Sequence, residues 1–526
     1  MMPVNEEEDD KKGDTDGEVP SRTAQKNSSH TNTVKDSKKP SGEDALWSFS
    51  SLYEGDEEKG LKRTLSLKNA ITMTMGGVIG AGLFIAPTGV QRAAGSVGAS
   101  IIIWFICGLW CFLGACIYAE LGIMIPKSGG DYAYLMEAFG PFLAFLRFWI
   151  EGMVVRPCAR AVISLTFAIY TLRPLYPNCD PPPWTTELVA AILIIGVGAI
   201  NCWSVKAAAS MQDYITYAKV LVLIAVILTG GFLLIFGGPK YRDSFESPFE
   251  GNFRNWLDAS VGFYSGLFAY QGWINLSFLT EEIINPKRNL PLALVLSSAA
   301  ITLIYTFFVV ALYVVLSPDE VLISPAVGVL FAEKAYPAVS FLMPLCVAMA
   351  CIGTENGNMI MSSRLLFCAG REHQMPRILA MINKRLRTPM PAVLFASFLT
   401  FCYLLISNNL YALITVSQVV SWLAFAVVAL AWFKLRRKYP DASRSVKVPP
   451  IFAAVFVVGS TIIVVLPVIA SPVDSAIGIL ILLTGVPIYV LFIQQNKTPL
   501  VIRRALFSFT VFCQKILMVV DDNESK

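Results

Sequence analysis

Apolar residues in this chain gather into long runs, not the alternation of a half-buried strand or the narrow stripe of a soluble helix. Runs of about 20 residues, the length that crosses a bilayer, begin near Leu67, Ala99, Phe142, Leu188, Asp213, Asp258, Leu292, Val339, Ala392, Ala412, Ile451 and Ser475. The pattern predicts an all-α polytopic membrane protein with twelve transmembrane helices in residues 65–495. The tail before them, residues 1–64, opens MMPVNEEEDDKKGDTDGE and has almost no aliphatic residues. It cannot bury a core and is expected to be disordered, and no apolar segment behind Met1 marks it as a signal peptide. Residues 496–526 form a second tail, in which LVIRRALFSFTVFCQKILMVV suits an amphipathic helix.

Composition agrees with the pattern. Of 526 residues, 55% are hydrophobic and 15% charged, against about 25% charged in a soluble domain. Lysine and arginine set the orientation, because they concentrate in cytoplasmic loops. Lys127, Lys206, Lys287, Arg288, Arg371, Arg377, Lys384, Arg385, Arg387, Lys434, Arg436, Arg437 and Lys438 follow even-numbered spans, whereas the connections around Asn178, Asn408 and Asp474 carry few basic residues. Both termini are therefore expected in the cytoplasm. The sequons at Asn27 and Asn496 are then cytosolic and that at Asn275 lies within a span, so none should be glycosylated. Of eleven cysteines only Cys179, in LYPNCDPPP, falls in an outward loop. A lone thiol on the oxidising face is either an intermolecular disulfide or an unpaired surface cysteine.

Catalytic chemistry is scarce. Histidine occurs twice, at His30 and His373, with no CxxC pair and no GxSxG. Neither a histidine-based metal site nor a histidine base is available within the spans. An enzyme is not expected, nor a cofactor, a metal or a nucleic-acid partner.

The first span contains GGVIGAGLF, from Gly76 to Phe84. Each glycine in a helix interior costs roughly 1 kcal/mol relative to alanine. Gly76 and Gly80 could serve close helix packing as a GxxxG pair. Alternatively the helix breaks at Gly80, Ala81 and Gly82, and its free N–H groups, aided by the half-helix dipole, bind a carboxylate. A break persists in a membrane only where it lines a polar cavity. The sixth span, VGFYSGLFAYQGWINLSFLTEEIINP, is interrupted too, with Gly266 and Gly272 around Gln271. It is the first element of a second set of five spans, as GGVIGAGLF is of the first, and paired interruptions in two halves point to a transporter site at the midplane.

These residues also carry a family resemblance. VIGAGLFIAPTGV, CIYAELGIMIPKSGGDYAYLMEAFG, VVRPCARAVISLTFAIYTLRPLYPNC, LTEEIINPKRNLPLAL and SSRLLFCAGREHQMP resemble the light subunits of heteromeric amino-acid transporters, in the amino acid-polyamine-organocation superfamily. The resemblance implies a 5+5 inverted-repeat (LeuT-like) fold with discontinuous helices one and six. It also implies sodium-independent, obligatory exchange of neutral, large neutral above all, amino acids at the plasma membrane. A single-span glycoprotein heavy subunit, disulfide-linked through Cys179, is the implied partner. A cation-coupled symporter and a non-transporting sensor of the same fold are the competing functions.

Carried onto this chain, the resemblance gives Gly80, Ala81 and Gly82 to the substrate carboxylate, and the carbonyls of Val78, Phe268 and Gln271 to its ammonium. Phe268 matches the gate, and Val154, Val155, Ile274, Val419 and Trp422 match positions near the substrate side chain. Ala81 stands where the large-neutral pattern has serine, Gln271 replaces a small residue, Ile274 and Asn275 replace an Asn-Tyr pair, and Val419 replaces an aromatic. Lys219, inside span five, matches the lysine that occupies a coupling sodium's place, its alternative being to snorkel to the surface. Glu151, Arg156 and Arg160 in span three suit structural pairs, and Glu355 in CIGTENGNM stands where the family usually has no charge. Such mid-span charges cost about 3 kcal/mol on insertion scales.

Overall fold

A computed structural model describes residues 63–80, 82–176, 181–251, 256–324, 327–405, 410–441, 446–470, 472–494 and 500–521. Helices of eight residues or more are numbered in chain order. The first span is divided into α1 (Leu67–Val78) and α2 (Gly82–Ala94), followed by α3 (Val97–Met124), α4 (Asp131–Phe139), α5 (Pro141–Ile150), α6 (Arg156–Leu172), α7 (Thr185–Trp203) and α8 (Val205–Phe236). The sixth span is α9 (Trp256–Ala269), a turn, and a 3-10 segment (Asn275–Glu282). Then come α10 (Pro286–Val315), α11 (Val327–Ala335), α12 (Leu342–Arg371), α13 (Met390–Leu405), α14 (Leu410–Lys438), α15 (Pro450–Ala470), α16 (Pro472–Leu483) and α17 (Leu500–Leu517).

Most helix starts fall within a few residues of the apolar runs. The fifth begins eight residues earlier than its run, at Val205, because the Ser204 side chain caps the N–H of Ala207 and carries the helix back through polar VKAAASMQ. Among the described residues six helices are both long and apolar enough to cross a membrane: Val97–Met124, Pro141–Leu172, Thr185–Trp203, Val205–Phe236, Pro286–Val315 and Val419–Lys438. Exposed leucines and isoleucines at helical spacing, such as Leu188, Ile192 and Ile195 on α7, turn outward as a lipid-facing stripe would.

The packing has two centres. One joins α3 to α10 and α2 to α9; the other gathers α6, α7 and α13 around α12. Helix α8 touches α1 and α10 in the first group and α12 in the second. Among the described strands, β1 (Met381–Asn383) pairs antiparallel with β2 (Val519–Asp521), in the register Met381 to Asp521. The C-terminal tail thus contains α17 and then a strand paired with the loop behind α12. Before α1, the N–H of Leu65 donates to the Glu282 carbonyl at 3.0 Å and the N–H of Ile284 to the Leu65 carbonyl at 2.9 Å. One backbone ladder therefore ties the start of the first broken span to the end of the second.

Two facing helix breaks

Helix α1 begins in a capping box between Ser66 and Asn69 and ends at Val78, where Ile79 turns extended at φ −71° and ψ 92°. A helix end leaves its last carbonyls without intrahelical donors, and here they can be followed individually. Met75 O accepts from the Ile79 N–H at 2.8 Å. Lys219 Nζ donates to Gly76 O at 3.1 Å and to Ile79 O at 2.7 Å. Val78 O accepts from the Tyr305 hydroxyl at 3.0 Å. A third donation from Lys219, to Thr354 Oγ1 at 3.1 Å, ties the break to α12. A cation at a helix C-terminus is also favoured by the helix dipole. Lys219 is 3% exposed, so its side chain bridges α8 to the break and does not run to the surface.

Gly76, Gly80 and Gly82 each stand in close contact with a neighbouring segment. A Cβ on Gly76 would collide with Thr216 of α8, so this glycine serves close packing. On Gly80 it would stand 3.0 Å from Thr354 Oγ1, and on Gly82 3.3 Å from Ala269 Cα, at the end of α9. Ala81 lies outside the described residues, as does Cys179.

The second break faces the first. Gly272 has φ +112°, a conformation open to glycine, and a Cβ there would approach Gly77 O to 3.0 Å. Phe268 O accepts from the Gln271 N–H at 3.1 Å. Two of the three carbonyls that the resemblance assigns to the ammonium, those of Val78 and Phe268, thus already hold one donor, and each retains a second acceptor lone pair. The Phe268 ring, 37% exposed, passes 3.5 Å from where a Gly82 Cβ would be.

The five residues that the resemblance places near the substrate side chain are apolar or aromatic. Val155, Ile274, Val419 and Trp422 are buried and Val154 is half-buried. Val154 and Val155 pack with Val420, the neighbour of Val419, while Trp422 reaches the second break through Phe425 and Trp273, ring to ring at 5.2 and 5.4 Å. Val154 and Val155 sit in a π-helical turn, Glu151–Val155, a distortion frequent at functional sites. Tyr403 of α13 donates to Met153 O within it at 3.2 Å.

The buried charges of the third span, Pro141–Leu172, sort into two groups. Arg147 bridges Asp131 at 2.6 Å and Glu151 at 3.0 Å, and Glu151 also meets Arg156 at 3.0 Å. Arg160 instead crosses to α12, where its Nε donates to Glu355 Oε1 at 2.8 Å, and its Nη1 reaches Ala396 O of α13 at 3.0 Å. Beside Glu355, Asn356 accepts from Asn201 of α7 and donates to Gln212 of α8 at 2.9 Å. Three consecutive residues of α12, Thr354, Glu355 and Asn356, therefore hold different neighbours. The sequence reading missed Tyr305, Thr354, Asn356 and the π turn. The polar run TEN amid apolar residues was the signal for two of them, whereas nothing local marks a tyrosine in LIYTFF.

Comparison with known proteins adds the lineage. A family model described as "Amino acid permease" matches residues 65–493. The human protein named "Cystine/glutamate transporter" is 38% identical over 470 residues, covering 89% of this chain and 93% of the relative. The mouse "Large neutral amino acids transporter small subunit 2" is 37% identical over 469 residues, covering 88% of this chain and 87% of the relative. The mouse "Asc-type amino acid transporter 1" is 38% identical over 470 residues, covering 88% and 87% respectively.

Proposed function

This chain belongs to the amino acid permease family, a family of transporters and not of enzymes, and on that premise we propose that it is a sodium-independent exchanger of neutral amino acids. The observation that carries the reading is the apposition of the two breaks, with Gly82 against Ala269 and Gly272 against Gly77. The N–H groups of Gly80, Ala81 and Gly82, ahead of α2, receive the carboxylate in this reading. The second lone pairs of Val78 O and Phe268 O, with Gln271 O, receive the ammonium, and Phe268 closes over the substrate. An amino acid is held at both ends by backbone, and its side chain meets Val154, Val155, Ile274, Val419 and Trp422.

The apolar wall supports neutral substrates over the anionic one in the first relative's name, since a second carboxylate buried there would lack a partner. Lys219 supports sodium independence: its ammonium already occupies the oxygens of Gly76, Ile79 and Thr354. A twelve-span 5+5 inverted repeat accords with the packing, because α2 with α9, α3 with α10, α6 with α12 and α7 with α13 are the pairs a five-span offset relates. The domain limits 65–495 and cytoplasmic tails follow the same topology. The words "small subunit" in one relative's name support a larger partner subunit, bonded through Cys179 and placing the pair at the plasma membrane.

The test is radiolabel efflux from proteoliposomes, driven in turn by each of the twenty amino acids, with and without sodium. Efflux driven by neutral amino acids in sodium-free buffer is expected. Failure of every amino acid to drive efflux would sink the exchanger reading, and a sodium requirement would make the protein a symporter.

A further inference from the structure

We propose that Tyr305 is a positioning residue for the substrate ammonium, acting through the Val78 carbonyl; this rests on the reading of Val78 as an ammonium acceptor. Val78 O is freed by the break in α1, and a freed carbonyl has no helix to fix its direction. Tyr305, on α10 and fully buried, supplies that direction through its O–H at 3.0 Å. The tyrosine is itself held by aromatic packing, with Tyr270 at 4.9 Å and Trp104 at 6.0 Å between ring centroids. Tyr270 spends its own hydroxyl elsewhere, on Trp104 O at 3.1 Å. The second break is thus built into the same cluster, since Tyr270 is the first residue after α9.

What the hydroxyl prevents can also be read from the site. A cavity of about 10 Å³ lies against Val78, with Ser298 and Tyr270 on its wall. Ser298 Oγ is buried with no hydrogen-bond partner among the described residues. Without the Tyr305 O–H, the carbonyl loses the side-chain donor that fixes its direction, beside a cavity whose wall carries that unpaired hydroxyl. With it, one lone pair is fixed on the tyrosine and the other stays free for an N–H of the ammonium.

Tyr305→Phe removes one oxygen and keeps the ring packing. The full-length protein in proteoliposomes should show KM for its best neutral amino acid raised about threefold to tenfold, the worth of one net hydrogen bond, with maximal rate per reconstituted protein unchanged. The matching α-hydroxy acid, which lacks the ammonium, serves as competitor. Its inhibition constant should move little, so the preference for amino over hydroxy acid narrows in the variant, a change that a loss of packing alone would not produce. Tyr313→Phe, which cuts hydrogen bonds to Gln91 and Ser100 farther along the same helix without touching Val78, should leave KM unaltered. Should the wild type carry the hydroxy acid as well as the amino acid, the ammonium reading itself fails and Tyr305 falls with it. If the wild type demands the ammonium but Tyr305→Phe keeps or lowers KM, the positioning role alone is overturned. A fall in maximal rate shared by both phenylalanine variants, with the amino-to-hydroxy preference intact, would reduce Tyr305 to packing.

Discussion

Replacing Lys219 by methionine keeps the length and apolar stem of the side chain and removes its three donors. Gly76 O and Ile79 O would then be buried at the break without their donor, together with one partner of Thr354 Oγ1. An orphaned buried acceptor costs about 1–3 kcal/mol, so the two carbonyls together put about 2–6 kcal/mol on the geometry of the break. Even the lower figure corresponds to about a thirtyfold loss of the competent arrangement. Exchange by Lys219→Met in sodium-free proteoliposomes, normalised to reconstituted protein, should fall at least that far. Thr354→Val removes only the acceptor on α12 and should cost roughly threefold to tenfold. A monodisperse elution profile in detergent separates lost function from lost fold. Exchange by Lys219→Met within twofold of wild type would refute the reasoning, because it would mean that the break holds its shape without the lysine.

Other outcomes follow from the same structure. Breaking the buried Arg160–Glu355 pair from one side, by Arg160→Met or Glu355→Gln, should destabilise the protein by about 3–5 kcal/mol, read as a drop in melting temperature. The double variant should lose less than the sum of the two, and strict additivity would mean the groups do not interact. Cys179→Ser should abolish a high-mass band on a non-reducing gel of the protein expressed with its partner, and an unchanged band would exclude this cysteine as the bridge. Hydrogen bonds from Lys438 and Tyr439 hold the Glu137 carboxyl below its usual range. A carboxyl depressed in the folded state stabilises above its unfolded pKa and loses that contribution as pH falls through the folded one. The small excess in melting temperature of wild type over Glu137→Gln should therefore be present at neutral pH and shrink as pH falls below the ordinary glutamate value of about 4.3; an excess that grows on acidification would contradict the pairing.

The places of the two helix interruptions could be read in the sequence because they are written in local backbone chemistry. Glycine clusters announce a break whatever packs around them, and Gly80 to Gly82 and Gly272 stand at the breaks described. A lysine inside an apolar run announces a partner, although only the fold names Gly76 O, Ile79 O and Thr354. What stayed hidden depends on distant segments meeting. Arg160 is 195 positions from Glu355 and Val78 is 227 from Tyr305, and no periodicity within either segment encodes the meeting. The π turn at Glu151–Val155 was illegible for another reason: its residues suit an α-helix equally well, and the Tyr403 contact that accompanies it comes from α13. Span limits were legible to within a few residues except where polar caps extend the helix, as Ser204 does.

The run Thr354, Glu355, Asn356 limits the mechanical freedom of α12. Successive residues on a helix project about 100° apart, so these three grips, Thr354 on α8, Glu355 on α6 and Asn356 on both α7 and α8, spread over more than half of the helix circumference. Rotation of α12 about that axis would have to release grips on opposite sides at once, and sliding along it would release all of them. The helix can then travel only with α6, α7 and α8, which leaves the turn after α9, where Gly272 lies against Gly77, as the joint where relative movement costs least.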